Sequence, residues 1–227
     1  FPLSIFSPEQ IAPFATPWMV AGVVSAIYGA LMALAEQDIK RIIAYSSVSQ
    51  MGYILYGLGT LNHDGITGAT EHVVFHGIVK ALLFIGVGNV IRATGRRQLA
   101  ELGGLARTMP LVAVCTGLGA LAIAGVPPLA IFDSEWMIFS GGFHTAQLGL
   151  AVLALLGSLA TAAYALWFTW RVFLGTQPES LTADPLPWTM VVPGIVLSVL
   201  TIIAGILPGA VFNWAEHALD TILGGGW

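Results

Sequence analysis

The stretch EHVVFHGIVKALLFIGVGNVI, residues 71–91, decides the fold class of this chain. It is mostly apolar and long enough to cross a lipid bilayer as one helix, which takes roughly 20 such residues. Within it, His72, His76 and Lys80 recur at intervals of four. Residues with this spacing lie on one face of a helix. The stretch therefore predicts a membrane-spanning helix that carries a row of ionisable side chains.

The composition of the whole chain also indicates an integral membrane protein. Of its 227 residues, 56% are hydrophobic and only 9% are charged, whereas a soluble domain carries about 25% charged residues. Its single cysteine, Cys115, excludes an internal disulfide and a cysteine-based metal site. The chain starts at Phe1 without a recognisable signal peptide, and we expect the sequence to be a piece of a longer polypeptide.

Hydropathy predicts an all-α, polytopic bundle of about six transmembrane spans, forming one transmembrane domain over residues 1–227. The final segment, residues 208–227, has the amphipathic pattern of a short helix that lies in the membrane interface. The predicted spans cover residues 17–35, 42–60, 67–91, 111–142, 147–173 and 187–207.

The fourth of these spans is interrupted by the sequence GVPPLAIFDSE, in which Pro127 and Pro128 break the helix. The piece after the break has about 12 residues, which is short for a full crossing. With one discontinuous span, seven of the eight Lys and Arg residues lie on one side of the membrane. Two full spans would move Arg171 to the other side. The positive-inside rule therefore favours one broken span, with cytoplasmic basic loops and the C-terminal tail outside.

Lys80 lies near the middle of the third predicted span, too deep for its side chain to reach the interface. A charge at that depth costs at least ~2.5–3.5 kcal/mol and should face a partner or a wet cavity. Histidine can bind and release a proton near neutral pH, so His72, His76 and Lys80 have the form of a proton relay. Two alternatives stay open. The row can hold neighbouring helices together, or bind a metal or haem, although no carboxylate shares this helix face.

Two further groups of charges are candidate functional residues. Glu135 follows the break by about one helical turn, and transporters place ion sites at such breaks. An ordinary acid near the outer surface is the alternative reading for Glu135 and for its neighbour Asp133. Asp38, Lys40 and Arg41 lie in a charged hairpin between the first two spans, where the basic residues can serve as topology anchors.

Three segments, in this order, resemble the antiporter-like membrane subunits of respiratory complex I, the NADH-quinone oxidoreductase chains M, N and L. They are DIKRIIAYSSVSQMGYILYGLG, HVVFHGIVKALLFIGVG and MPLVAVCTGLGALAIAGVPPLAIFDSEWMIF. That family also includes subunits of Mrp-type sodium/proton antiporters, membrane-bound hydrogenases and F(420)H(2) dehydrogenases. The resemblance implies that residues 17–173 form the second of two inverted five-helix repeats and that residues 187–207 form the last span.

The resemblance also implies roles for particular residues. The proton-transfer axis would consist of Lys80, His76, His72 and Glu135, and Asp38 with Lys40 would form a secondary charged pair. The chain would translocate protons without a redox site of its own, as part of a quinone oxidoreductase driven by NADH, F(420)H(2) or ferredoxin. The alternatives are a subunit of an Mrp-type antiporter or of a membrane-bound hydrogenase, and an assembly subunit with an inert axis.

The expected partners follow from the same resemblance. The sequence contains neither a glycine-rich dinucleotide loop nor a set of cysteines, so no cofactor or metal is expected in this chain. NADH, flavin, iron–sulfur clusters and quinone are expected in partner subunits. The partners would be other membrane subunits, including antiporter-like neighbours, and the lipid of a prokaryotic cell membrane, with no nucleic acid.

Overall fold

A computed structural model of the chain describes residues 8–209 and residue 213. These residues form seven α-helices, with a 3-10 turn at Leu99–Glu101 and a π-helical turn at Trp170–Leu174. The predicted all-α, polytopic bundle is confirmed; the predicted interfacial helix lies almost entirely outside the described residues. In chain order the helices are α1 Pro8–Ala35, α2 Ile39–Gly59, α3 His63–Thr94, α4 Pro110–Ile123, α5 Ala130–Phe143, α6 Leu148–Thr169 and α7 Trp188–Ile206.

The helices differ in how apolar they are. α2 has 21 residues but carries Ser46, Ser49 and Gln50, and all three are buried inside the bundle. α4 and α5 have only 14 residues each. The helices in the described part of the chain that are long and apolar enough to cross a membrane are Gln10–Ala35, His63–Thr94, Leu148–Leu174 and Trp188–Ile206.

Helix ends depart from the hydropathy prediction where polar residues begin or end a helix. α3 starts before the predicted residue 67 because Asn62 caps it, its side chain accepting a hydrogen bond from the Gly65 amide at 3.0 Å. Gly95, with φ of 66°, ends the same helix in the left-handed conformation. α1 begins at Pro8 and continues through Pro13 and Pro17, although each proline removes one backbone donor.

α4 and α5 together make one crossing of the bundle. Just before α4, the Leu105 amide donates to the Val172 carbonyl at 3.3 Å, at the end of the bundle where α6 finishes. At the end of α5, the Asn62 side chain donates to the Gly141 carbonyl at 2.7 Å, at the opposite end where α3 begins. The predicted discontinuous helix is therefore confirmed, with the break between Ile123 and Ala130.

Backbone hydrogen bonds tie the loops together at one end of the bundle. The Ile39 amide donates to the Arg97 carbonyl at 3.0 Å, and the Leu99 amide donates to the Gln37 carbonyl at 2.8 Å. These bonds join the start of α2 to the segment after α3. We call this the basic end, because it gathers the basic residues Lys40, Arg41, Arg92, Arg96, Arg97, Arg107 and Arg171.

α1 and α2 pack with their backbones in direct contact. A Cβ atom at Gly22 would overlap the backbone of Tyr56, and one at Gly52 would overlap the backbone of Ala26. Gly29 lies equally close to the backbone of Ser49. Small residues allow this approach in membrane helices, where close packing takes the place of a hydrophobic driving force. We call Gly22, Gly29 and Gly52 the glycine seam.

Candidate functional site

The polar row predicted on α3 is formed and faces the inside of the bundle. His72, His76 and Lys80 are 0%, 5% and 7% exposed, so none of them faces lipid. The rings of His72 and His76 stack, with centroids 6.1 Å apart and planes at 11°. Successive members are one helical turn apart, close enough for the charge on one to affect the next.

Lys80 is held by neutral groups from α2. Its Nζ donates to the Ile43 carbonyl and, at 2.6 Å, to the Ser46 hydroxyl, and it lies 5.4 Å from the centroid of the Phe84 ring. No carboxylate in the described part of the chain forms an ion pair with it. The position is roughly 20 Å or more from either end of α3 at 1.5 Å per residue. The side chain thus donates its hydrogen bonds without a compensating negative charge.

Glu135 lies at the helix break, as its sequence position predicts. It is 4% exposed, and its Oε1 accepts a hydrogen bond from Gln50 Nε2 at 3.4 Å. Its Oε2 lies against Gly125, where a Cβ atom would come within 2.6 Å of that oxygen. Gly125 follows the end of α4 with φ of 67°. The Glu135 carboxyl group is therefore folded back onto the break between α4 and α5.

Gln50 connects Glu135 to the histidine row. While its Nε2 faces Glu135, its Oε1 lies 2.7 Å from His72 Nε2. The other ring nitrogen, His72 Nδ1, lies 3.0 Å from the hydroxyl of Ser134 on α5. Ser134 in turn donates to the Ile131 carbonyl at 3.0 Å. One continuous hydrogen-bonded chain thus joins α5, α2 and α3.

Two tyrosines of α2 and α6 border this polar region. The Tyr164 hydroxyl lies beside Ser46 and Thr161, and the Tyr53 hydroxyl lies beside Ser49 and Thr161. Both tyrosine side chains are fully buried. The Ser46 hydroxyl that accepts from Lys80 therefore lies beside further hydroxyl groups, which can donate or accept hydrogen bonds.

Asp38, one member of the predicted charged pair, lies at the basic end and pairs with Arg97. Asp38 caps α2, accepting from the Lys40 amide at 2.9 Å and the Arg41 amide at 3.4 Å, and its Oδ2 accepts from the Arg97 guanidinium. The Lys40 side chain is exposed. The segment after α3 brings Arg97 onto the Asp38 carboxylate, and the role of Asp38 and Lys40 as a secondary charged pair stays a prediction.

Burial and hydrogen bonding act on Asp38 in opposite directions. Burial by itself would raise the pKa of this carboxyl group, since it disfavours the charged form. The hydrogen bonds from Arg97 and from the backbone amides of Lys40 and Arg41 favour the carboxylate and hold the pKa of Asp38 below its usual value of 3.8.

The sequence reasoning missed three buried polar residues. Gln50 and Ser134 complete the site, yet neither residue type is ionisable and their partners are distant in sequence. Glu71 is fully buried on α3, directly before His72 but about 100° around the helix from it. An acid inside an apolar stretch was a signal for Glu71. Within the described residues, no group of three or more His, Cys, Asp and Glu side chains could hold a metal ion.

The chain is similar in sequence to known membrane subunits. Residues 3–161 match the family model described as NADH:quinone oxidoreductase/Mrp antiporter, TM. Over 160 residues the chain is 39% identical to the F(420)H(2) dehydrogenase subunit M of Methanosarcina mazei, an alignment that covers 70% of this chain and 32% of the relative. It is 35% identical over 212 residues to the NAD(P)H-quinone oxidoreductase chain 4 1 of Synechococcus elongatus, covering 88% and 39%.

The fold also matches a solved structure. A chain of the Mrp complex from Dietzia sp. DQ12-45-1b superposes with a TM-score of 0.88 at 23% identity, covering 95% of this chain and 48% of that one. At this identity the likeness concerns the fold. The chain spans about a third of the length of the curated relatives described above.

Proposed function

Because the chain belongs to the membrane family of NADH:quinone oxidoreductase and Mrp antiporter subunits, we propose that it translocates protons in a redox-driven quinone oxidoreductase. The observation that carries this proposal is the buried row of Lys80, His76, His72 and Glu135, in which Gln50 joins His72 to Glu135 by hydrogen bonds across three helices. Each of these side chains can gain or lose a proton. A row of such groups inside an apolar bundle can pass a proton over a distance that lipid would block.

The energetics explain why a buried lysine would be retained. An ionisable group at the bilayer centre is costly, so it persists where its charge has a use. Moving one charge across a membrane potential takes ~2.3 kcal/mol per 100 mV. In our proposal, partner subunits that carry NADH, flavin, iron–sulfur clusters and quinone supply this energy. Changes of charge at Lys80 then drive release or uptake at Glu135.

The proposal includes a topology and a set of partners. The basic end faces the cytoplasm and the end of α5 faces the outside, following the positive-inside rule. Residues 17–173 act as one repeat of an antiporter-like subunit, with the other repeat supplied outside this sequence. Its neighbours are other membrane subunits of a prokaryotic respiratory complex. Asp38 anchors the cytoplasmic end of α2 in this arrangement.

A second candidate function is a subunit of an Mrp-type sodium/proton antiporter or of a membrane-bound hydrogenase. The family description includes Mrp antiporters, and the fold superposes on a chain of an Mrp complex over 95% of this chain. The same row of residues would serve there, with an ion gradient or hydrogen oxidation as the energy source. Sodium dependence of transport in the absence of electron flow distinguishes the antiporter from the quinone-linked complex.

The test uses the native complex, purified and reconstituted in vesicles with a pH-sensitive dye inside. In our proposal, Lys80→Ala abolishes proton uptake driven by electron donor and quinone, while the complex assembles normally. Arg107→Ala is the control, because it removes an exposed basic side chain at the basic end. Wild-type proton pumping by an assembled Lys80→Ala complex would contradict the proposal. Pumping that needs sodium and no electron donor would favour the antiporter.

A further inference from the structure

We infer that Gln50 is a positioning residue that couples the charge of Glu135 to the charge of His72. The inference rests on the proposed function, since it assigns a task within the same buried row. Gln50 is fully buried and lies between the two ionisable groups. Its amide nitrogen contacts Glu135 and its amide oxygen contacts His72.

The direction of each hydrogen bond follows from the atoms involved. The Gln50 oxygen can only accept, so His72 Nε2 carries a proton and donates to it at 2.7 Å. The Gln50 nitrogen can only donate, so Glu135 accepts at 3.4 Å. Because Ser134 donates to the Ile131 carbonyl, its hydroxyl oxygen is left to accept from His72 Nδ1. All four bonds are satisfied together when Glu135 is a carboxylate and His72 is an imidazolium.

A second arrangement holds the same number of protons. In it, the proton of His72 Nδ1 is absent and one proton lies on Glu135 instead. Ser134 then turns its hydroxyl hydrogen from the Ile131 carbonyl to His72 Nδ1. Both groups are now neutral, and Gln50 bridges them through ordinary hydrogen bonds.

The two arrangements differ in how strongly the amide binds its neighbours. Hydrogen bonds to ionised groups are roughly twice as strong as those between neutral groups. When Glu135 is ionised, the strong bond from the Gln50 nitrogen polarises the amide and makes its oxygen a better acceptor from a positive His72, because hydrogen bonds in a chain strengthen one another. Ionisation of Glu135 makes a positive His72 more favourable, and the reverse holds as well. An amide performs this task without taking a proton itself, since it does not titrate.

The other ionisable groups around this bridge lie on three helices. His76 and Lys80 follow His72 along α3, and the buried Glu71 precedes it. Tyr53 of α2 and Tyr164 of α6 lie near enough to Glu135 to interact with its charge. None of these groups bridges Glu135 and His72 as Gln50 does. The coupling is therefore expected to depend on the amide of residue 50.

The test compares Gln50→Met and Glu135→Gln in the reconstituted native complex. Methionine has nearly the length and volume of glutamine but offers no amide. We expect Gln50→Met to slow donor-driven proton uptake roughly tenfold or more, the range set by hydrogen bonds to charged groups. In difference infrared spectra, the carboxylic acid C=O band that Glu135→Gln removes is expected to move to higher frequency in Gln50→Met, because its hydrogen-bond donor is lost.

Asn89→Leu is the matched control. Asn89 is a buried amide of α3 that donates to the Met190 carbonyl at 3.1 Å, outside the row. Its replacement is expected to leave both the transport rate and the Glu135 band unchanged. If Gln50→Met does not assemble, Gln50→Glu keeps the shape and places two carboxyl groups together. Their shared proton is expected to shift the band to lower frequency.

The outcomes separate this inference from the proposed function. If Glu135→Gln and Lys80→Ala abolish transport while Gln50→Met keeps the wild-type rate and an unshifted band, the coupling role of Gln50 is overturned alone. If Glu135→Gln and Lys80→Ala both transport protons normally, the proposed function fails, whatever Gln50→Met does. The inference is supported if Gln50→Met shifts the Glu135 band and slows transport while Asn89→Leu changes neither.

Discussion

Charged groups are held in two different ways at the basic end and in the interior of this bundle. At the basic end, the Asp38 carboxylate is paired with the Arg97 guanidinium and receives two backbone amides of α2. In the interior, Lys80 contacts a carbonyl and a hydroxyl, and Glu135 contacts the amide of Gln50. The first arrangement compensates a charge, whereas the second supplies only neutral partners.

The difference indicates which charges are structural and which can change. A carboxylate beside a guanidinium is fixed in its ionised form, because the opposite charge favours that form. Beside a neutral hydroxyl or amide, the ionised and neutral forms of a side chain differ less in energy. The paired charge at the basic end therefore stabilises the fold, and the interior charges are the ones that our proposal assigns to proton transfer.

Glu135→Gln tests the interior side of this comparison and should have the largest effect. Glutamine keeps the shape of the side chain but cannot ionise, so we expect proton transfer to fall roughly a hundredfold or more. Donor-driven proton uptake by reconstituted complex measures this. Asp133→Asn, two residues earlier on α5 and less buried, is the control and should retain transport. Equal losses in both variants would contradict a special role for Glu135.

Gly125→Ala tests whether the helix break must fit closely around Glu135. Alanine at φ of 67° costs roughly 1–2 kcal/mol, and its Cβ would overlap the Glu135 carboxyl oxygen. We expect a lower melting temperature of the purified complex together with slower proton uptake. Gly77→Ala on α3 is the control. Its Cβ would meet open space, so it should be neutral or raise stability by about 0.5–1 kcal/mol.

Asp38→Asn tests the structural side and should have the smallest effect. Asparagine still caps α2 but loses the charge paired with Arg97, so we expect a loss of about 1 kcal/mol. The pKa of Asp38 is lower in the folded chain than its usual value of 3.8. The stability that the Asp38 carboxylate contributes is therefore complete above that value and is lost as the pH falls through the folded pKa. Melting temperatures of wild type and variant should converge at low pH; a constant difference would contradict this assignment.

The sequence was sufficient for those features that depend on local pattern. The apolar runs predicted the all-α bundle, the two prolines predicted the break, and the quoted motifs predicted the family, all of which are confirmed. The spacing of His72, His76 and Lys80 also predicted their common face. These features depend on helical periodicity, on missing backbone donors and on apolar length, which a single sequence displays directly.

The remaining features depend on contacts between distant segments. Asp38 and Arg97 are 59 residues apart, and Gln50 and Glu135 are 85 apart. The resemblance implied a charged pair of Asp38 with Lys40, and no local pattern in the sequence points from Asp38 to Arg97. Gln50 carries no charge, so nothing in its own residue type distinguished it from other polar residues of α2. The tertiary packing of α2 against α3 and α5 selects it.

The glycine seam fixes α1 and α2 against each other. With backbone pressed against backbone at Gly22, Gly29 and Gly52, the two helices cannot slide past each other without separating. Gln50 and Ser46 of α2 therefore lie on a rigid pair of helices. α5 is held against α3 in the same way, because a Cβ atom at Gly141 would overlap the backbone of Gly65. The contacts of Gln50 with His72 and Glu135 therefore cross between two rigid helix pairs, and any movement of one pair against the other changes those contacts first.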